Sequence, residues 1–271
     1  MKSILLHVHG DAGQQARVAA AVAIANATSG RIQCLQVTPM SSYVVAEPFG
    51  GMFMVSSLYE ALEKQNMANR QAVETQLSGA GVTADWSDFD GGVAQSIVSR
   101  SRLADVIVLS QADYERGQGL QPIPIVADVA LSARTPVLAV PVAATAPIRL
   151  NGTVVIAWNG SPEAATAVRA SLPLLRLAST IVVMTVDGDG SDYSSKSAVD
   201  YLALHGIAAT HRNAASNGNG IGPALIDTAK SLDAAYVVMG AYGHSRFREA
   251  LLGGVTRSML AHSPVPLLLA H

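Results

Sequence analysis

The sequence predicts an α/β protein made of two tandem copies of a doubly wound parallel sheet, and three observations predict it. Short apolar runs of strand type alternate with longer segments of helical periodicity along the chain. Their order in the first half recurs in the second, and glycine clusters fall where strands end and helices begin. At 271 residues, 49% apolar and 14% charged, the chain can bury a substantial core and is too long for one small domain of this kind.

Residues 3–8 read as a short apolar strand that ends at His9-Gly10-Asp11. Residues 12–29 are alanine-rich, with Val18, Val22 and Ile24 spaced for one helical face, and Gly30 stands where a C′ glycine closes a helix. Residues 31–38 alternate as a second strand. Residues 39–55 are loop-like; within them Phe49, Phe53, Met52 and Met54 would cover a pocket or an apolar partner surface. A long helix over 56–80, a strand over 82–89, a helix over 93–103 and a strand over 105–109 follow. A short helix near 126–133 and a fifth strand over 135–140 complete the copy.

The second copy repeats this order. Residues 153–158 correspond to 4–8, 180–186 to the strand from Arg31, 234–239 to 104–109, and Ser263-Pro264-Val265 to Thr135-Pro136-Val137. Two domains are therefore expected, 1–143 and 150–271, joined by a connector within 141–152. The copies differ most between their second and third strands, where the first carries the longer insertion.

One stretch carries most of the chemistry. The apolar run Val237-Val238-Met239 ends in Gly240-Ala241-Tyr242-Gly243, and nine residues later Gly253-Gly254 opens the helical segment that begins Val255-Thr256. Glycines at Gly240 and Gly243 allow a turn through positive φ and a close ligand approach. The free N–H groups and positive dipole end of the following helix then make an anion cradle, and a phosphate chain suits it. Neither the G-x-x-x-x-G-K-[ST] loop nor the dinucleotide fingerprint occurs in the chain.

Gly240-x-x-Gly243, nine residues, Gly253, then Val255-Thr256 and the closing Ser263-Pro264-Val265-Pro266-Leu267-Leu268-Leu269 resemble the nucleotide-binding signature of the universal stress protein family. Where the family usually has Ser or Thr after the third glycine, this chain has Gly254, which removes one hydroxyl donor; Thr256 keeps the second. The resemblance implies a Rossmann-like fold of the adenine nucleotide alpha-hydrolase type, with five parallel strands per copy. It also implies that the copies pair through their last strands as an internal pseudo-dimer. The implied ligand is ATP or a related adenine nucleotide, with or without Mg, held by a stress-linked regulator that turns it over slowly or not at all. Two alternatives stay open: an interaction scaffold that binds no nucleotide, and a weak ATPase. An unidentified protein partner and further homodimerisation also remain open.

A second contact region is Ala157-Trp158-Asn159-Gly160-Ser161-Pro162-Glu163, a strand end leading into a helix. Ser161 suits an N-cap and Pro162 the first helical position. Asn159 stands where family members commonly carry an acid that meets the nucleoside; it either contacts the ligand or completes a turn. Ala157 and Met239 stand at the strand ends beside it. Val186, at the end of the next strand, would line the base pocket by resemblance. His244, Arg246 and Arg248 lie in the spacer, where a cation could reach outer phosphates, and Glu249 beside them is weak as a general base. In the first copy, Ser110-Gln111-Ala112-Asp113 replaces G-x-x-G, Ile125-Val126 replaces the glycine pair, and Asp128 takes the place of Thr256. That copy is expected to be a structural partner with a lost site.

Other chemistries find little support. The net charge of −2, without a basic block, argues against nucleic acid and an electrostatic membrane anchor. The single cysteine, Cys34, forms no internal disulfide and fits a buried strand thiol in a reducing compartment. His7 and His9 flank Val8 and are read as pointing to opposite sides of their strand, unable to share a metal; no zinc-type spacing or Ser-His-Asp order occurs. The first six residues resemble a signal peptide only until His7, and no run is long enough to span a bilayer. A soluble, cytoplasmic protein is expected.

Overall fold

The computed structural model describes residues 1–39, 52–111, 125–188, 193–241, 243 and 254–271. The first half runs β1 (Ser3–Val8), α1 (Gln14–Thr28), β2 (Arg31–Thr38), α2 (Met52–Gly79), β3 (Ala84–Asp90), α3 (Val93–Arg100), a 3-10 turn (Ser101–Leu103), β4 (Val106–Ser110), α4 (Ile125–Ser132) and β5 (Val137–Val140). The second runs β6 (Thr153–Ala157), α5 (Pro162–Leu175), β7 (Thr180–Val186), α6 (Ser195–Leu204), β8 (Thr210–Ala214), α7 (Ile221–Ser231), β9 (Ala234–Gly240), α8 (Gly254–His262) and β10 (Leu267–Ala270).

These strands form one sheet in the order β3-β2-β1-β4-β5-β10-β9-β6-β7-β8. Pairs within each half are parallel. The halves meet through the antiparallel pair β5 and β10, with Leu138 opposite Leu268, which is the pairing that the resemblance implied. The central strands are continuous apolar runs because helices cover both of their faces. Buried residues of α1, α2, α5 and α6 form one layer, and those of α3, α4, α7 and α8 the other. The outer strands β3 and β8 are largely exposed and polar, which blunts both edges against pairing with another chain.

Local chemistry explains the differences from the sequence expectation. Helix α2 starts at Met52, four residues ahead of the expected 56, so Met52 to Val55 are helical and not loop. No proline or glycine separates Met52 from the helix body, and propensity carries the helix back to Met52. Phe49, like residues 40–51 as a whole, lies outside the described residues. At the end of α1 the left-handed position is taken by Ser29 (φ 48°), not Gly30. Gly30 is needed for proximity, since a Cβ there would sit 3.1 Å from the Lys2 carbonyl oxygen. The connector is anchored too: Ile148 and Leu150 are buried, and Arg149 donates to both Asp233 carboxylate oxygens at 2.8 Å.

Candidate functional site

In the second half, β6 lies between β9 and β7, so the chain leaves it in both directions and a crevice opens at the carboxyl ends of the strands, the usual ligand position in open α/β sheets. Ala157 is paired in register with Met239 on one side and Met184 on the other. Ala157 and Val186 are half-buried against the α7 and α8 layer, and Met239 is buried in it. Helix α8 runs back from this end of the sheet. Gly254 is exposed at its start, Val255 half-buried, and Thr256 buried in the first turn. Helix α8 is set close to α7 by Gly222, where a Cβ would lie 2.5 Å from Ser258 Oγ. The strand ends and this helix start thus share one end of the sheet. Tyr242 and Gly253, with the spacer residues His244, Arg246, Arg248 and Glu249, lie outside the described residues.

The loop after β6 is built by its own side chains. Asn159 Oδ1 accepts from the Ser161 amide at 3.1 Å, closing a turn in which Gly160 has φ 73°. Ser161 Oγ accepts from the Ala164 amide at 3.2 Å, capping α5, and Pro162 takes its first position. Asn159 remains exposed. Gly240 has a packing role that sequence spacing did not reveal: a Cβ there would stand 2.5 Å from the Ala164 backbone nitrogen, so glycine lets the first turn of α5 rest on the end of β9. Gly243 is exposed, and a Cβ there would meet Glu163 Oε2 at 2.7 Å. That carboxylate oxygen is buried and has no hydrogen-bond partner among the described residues. Glu163 was legible only as an acid in a helix first turn, where the dipole alone would justify it.

The corresponding crevice of the first half is filled from within. The Arg17 guanidinium, 1% exposed, donates to the His7 carbonyl at 3.1 Å, the His9 carbonyl at 2.9 Å, both Asp11 oxygens at 2.9 and 3.0 Å, and Ser110 Oγ at 2.6 Å. Ser110 ends β4 where Gly240 ends β9, and the roles are exchanged: here the helix side supplies the glycine, Gly13, whose added Cβ would collide with Ser110 Oγ. Asp128 in α4 has its carboxyl raised from the ordinary value by burial.

Two histidines correct the sequence expectation. His7 and His9, two residues apart, share a face of the strand; their rings stack with centroids 6.1 Å apart and planes 6° from parallel. Burial, then the Arg17 charge and His9, lowers the His7 pKa to about 3, and its Nε2 has no partner among the described residues. No group of three or more His, Cys, Asp or Glu that could hold a metal occurs among the described residues. Burial pushes the Cys34 thiol up to about 12, so it is an inert core group. Among the described residues no helix is long and apolar enough to cross a membrane.

Residues 151–271 match the model of the universal stress protein family. No curated protein matches the chain. A solved universal stress protein from Archaeoglobus fulgidus DSM 4304 is similar over 99% of this chain and 97% of its own, with a TM-score of 0.72 and 16% identity. A protein from Pseudomonas aeruginosa UCBPP-PA14, provisionally assigned to the universal stress proteins, matches 100% of this chain and 93% of its own at a TM-score of 0.60 and 15% identity. A functionally unknown protein from Pseudomonas aeruginosa PAO1 matches 100% and 92% at 0.55 and 15%. These identities speak for the fold alone, whereas the family model speaks for the second half directly. Residues 151–271 of this chain are therefore a universal stress protein domain, and the whole chain shares the fold of the solved universal stress protein from Archaeoglobus fulgidus.

Proposed function

We propose that the protein is a stress-linked regulator that binds ATP or a related adenine nucleotide in its C-terminal domain, 150–271, and turns it over slowly or not at all. The observation that carries this reading is the contrast between two crevices of one fold. The second has small or exposed residues at its strand ends, Ala157, Asn159 and Gly240, and the start of helix α8 at Gly254, whose dipole favours an anion. The first, in the domain 1–143, holds the Arg17 guanidinium at the same place. In this reading Val186 and Ala157 flank the base, the Gly240 to Gly243 turn and the start of α8 hold the phosphates, and Thr256 contributes its hydroxyl. A magnesium ion with the nucleotide would face Glu163, the carboxylate set against Gly243. That single oxygen donor suits a hydrated ion carried by phosphate rather than a protein-held metal.

The test is to purify the protein without added nucleotide, denature it, identify the released molecules by mass spectrometry, and titrate ATP and magnesium into stripped protein by calorimetry. About one adenine nucleotide per chain, lost in Gly243→Val, supports the reading. A scaffold that binds no nucleotide is favoured by one specific feature, the commitment of Asn159 Oδ1 to its own turn. Absence of nucleotide and of heat on titration would establish that alternative. Steady ATP hydrolysis would overturn the low-turnover part.

A further inference from the structure

The β6 strand end has two sides, and the side turned away from the proposed nucleotide crevice carries a cavity of its own. It lies between α5 and α6, holds about 320 Å³, and is lined by Trp158, Val168, Arg169, Tyr193, Ala198 and Tyr201 among others. Trp158 belongs to the layer of α5 and α6, whereas its neighbour Ala157 faces the opposite layer, so the cavity and the crevice are separated by the thickness of the sheet. Its volume falls at the small end of the roughly 300–1,000 Å³ typical of small-molecule sites.

The sequence explains why the two helices leave this space between them. Helix α5 offers Ala165 and Val168, and α6 offers Ala198, at positions where larger residues would close the gap. The walls are aromatic. Trp158 is 8% exposed and its indole N–H is already satisfied by the Tyr193 carbonyl at 2.9 Å, so the ring presents carbon to the cavity. Tyr201 is braced by His205, with ring centroids 4.7 Å apart. At the rim, exposed Arg169 donates to Thr166 Oγ1 at 3.0 Å and makes no ion pair among the described residues. Among the described residues no acidic side chain lines the cavity.

An apolar, aromatic-walled cavity with a single guanidinium at its mouth is the complement of an amphiphilic anion. We infer that this is a binding site for a small aromatic carboxylate, whose ring enters between Trp158, Tyr193 and Tyr201 and whose carboxylate meets Arg169. Aromatic rings gain edge and face contacts with such walls beyond simple area burial. A guanidinium pairs a carboxylate through two parallel hydrogen bonds, which an ammonium cannot do. The site does not depend on the nucleotide reading, since it shares neither side chains nor sheet face with that crevice.

The experiment uses the full chain with Trp86→Phe, which leaves Trp158 as the sole tryptophan. The protein is titrated with 2-naphthoate and, in parallel, with neutral 2-naphthamide, while Trp158 fluorescence is followed and calorimetry gives the stoichiometry. Saturable quenching by naphthoate at one per chain is expected. Arg169→Gln should weaken naphthoate by about tenfold, as expected for loss of a charge-assisted contact, and leave naphthamide unchanged. Ala198→Leu should abolish both; if that variant does not fold, Ala165→Leu fills the cavity from the other wall. No saturable quenching up to millimolar naphthoate, or binding that survives filling in a folded variant, overturns the site. Equal loss of acid and amide in Arg169→Gln overturns the assignment to carboxylates.

Discussion

His7 is buried at the end of β1 beside the Arg17 guanidinium and keeps its imidazole neutral down to about pH 3, against 6.5 for an ordinary histidine. Because the folded value is depressed, the unfolded chain binds the extra proton first. The contribution to stability is therefore complete above about pH 6.5 and is lost as the pH falls toward 3. Folding stability should drop by about 1.4 kcal/mol per pH unit in that window from this residue alone. Urea unfolding at a series of pH values should show that slope, and His7→Leu should remove it; an unchanged slope would place the acid sensitivity on carboxylates. Arg17 is the residue that sequence reasoning passed over. It lies on the buried stripe of α1, four residues before Ala21 and seven before Ile24, so helical spacing alone would have placed it inward. What spacing could not supply was its set of partners, drawn from two strand ends and Asp11. The stacking of His7 on His9 was accessible to the same kind of reasoning, because side chains two apart in a strand point the same way.

At the scale of elements, strands were legible where burial on both faces makes them apolar throughout, as in 234–239. Their pairing was legible only through the duplication and the family resemblance. Strand β8, with Thr210, His211, Arg212 and Asn213 exposed at the sheet edge, has no apolar signature to read. The glycines were found by position but only partly by purpose. Spacing marked Gly240 as part of a ligand loop, whereas its backbone contact with Ala164 shows a seat for α5 that only the assembled fold displays. Gly240→Ala should therefore destabilise the protein by about 1–3 kcal/mol through overpacking, whether or not nucleotide is present. Thermal and urea unfolding of the stripped protein would measure this. A neutral effect would mean that α5 can slide, and that the glycine serves the loop alone.

Across the whole molecule, the two copies form one sheet because the edges that a single copy would leave bare, β5 and β10, are joined within the chain. Gln111 adds a side-chain tie across the seam, donating to the Val265 carbonyl at 3.0 Å. A junction between chains would make the unfolding midpoint rise with protein concentration; a junction within one chain does not. The melting temperature should stay constant over a roughly hundredfold range of protein concentration, as differential scanning calorimetry can check. A rising midpoint would point to exchange of strands between molecules.

That seam also frees the molecule from a rule of symmetry. When two identical chains pair about a two-fold axis, every residue appears twice and the two crevices must be alike. Here Arg17 appears once and Gly240 once, so one strand end can be locked by its own cation while its twin carries a glycine that seats a helix. The tandem chain is, in effect, a heterodimer inherited as a single gene, in which either half can drift toward a different task without altering the other.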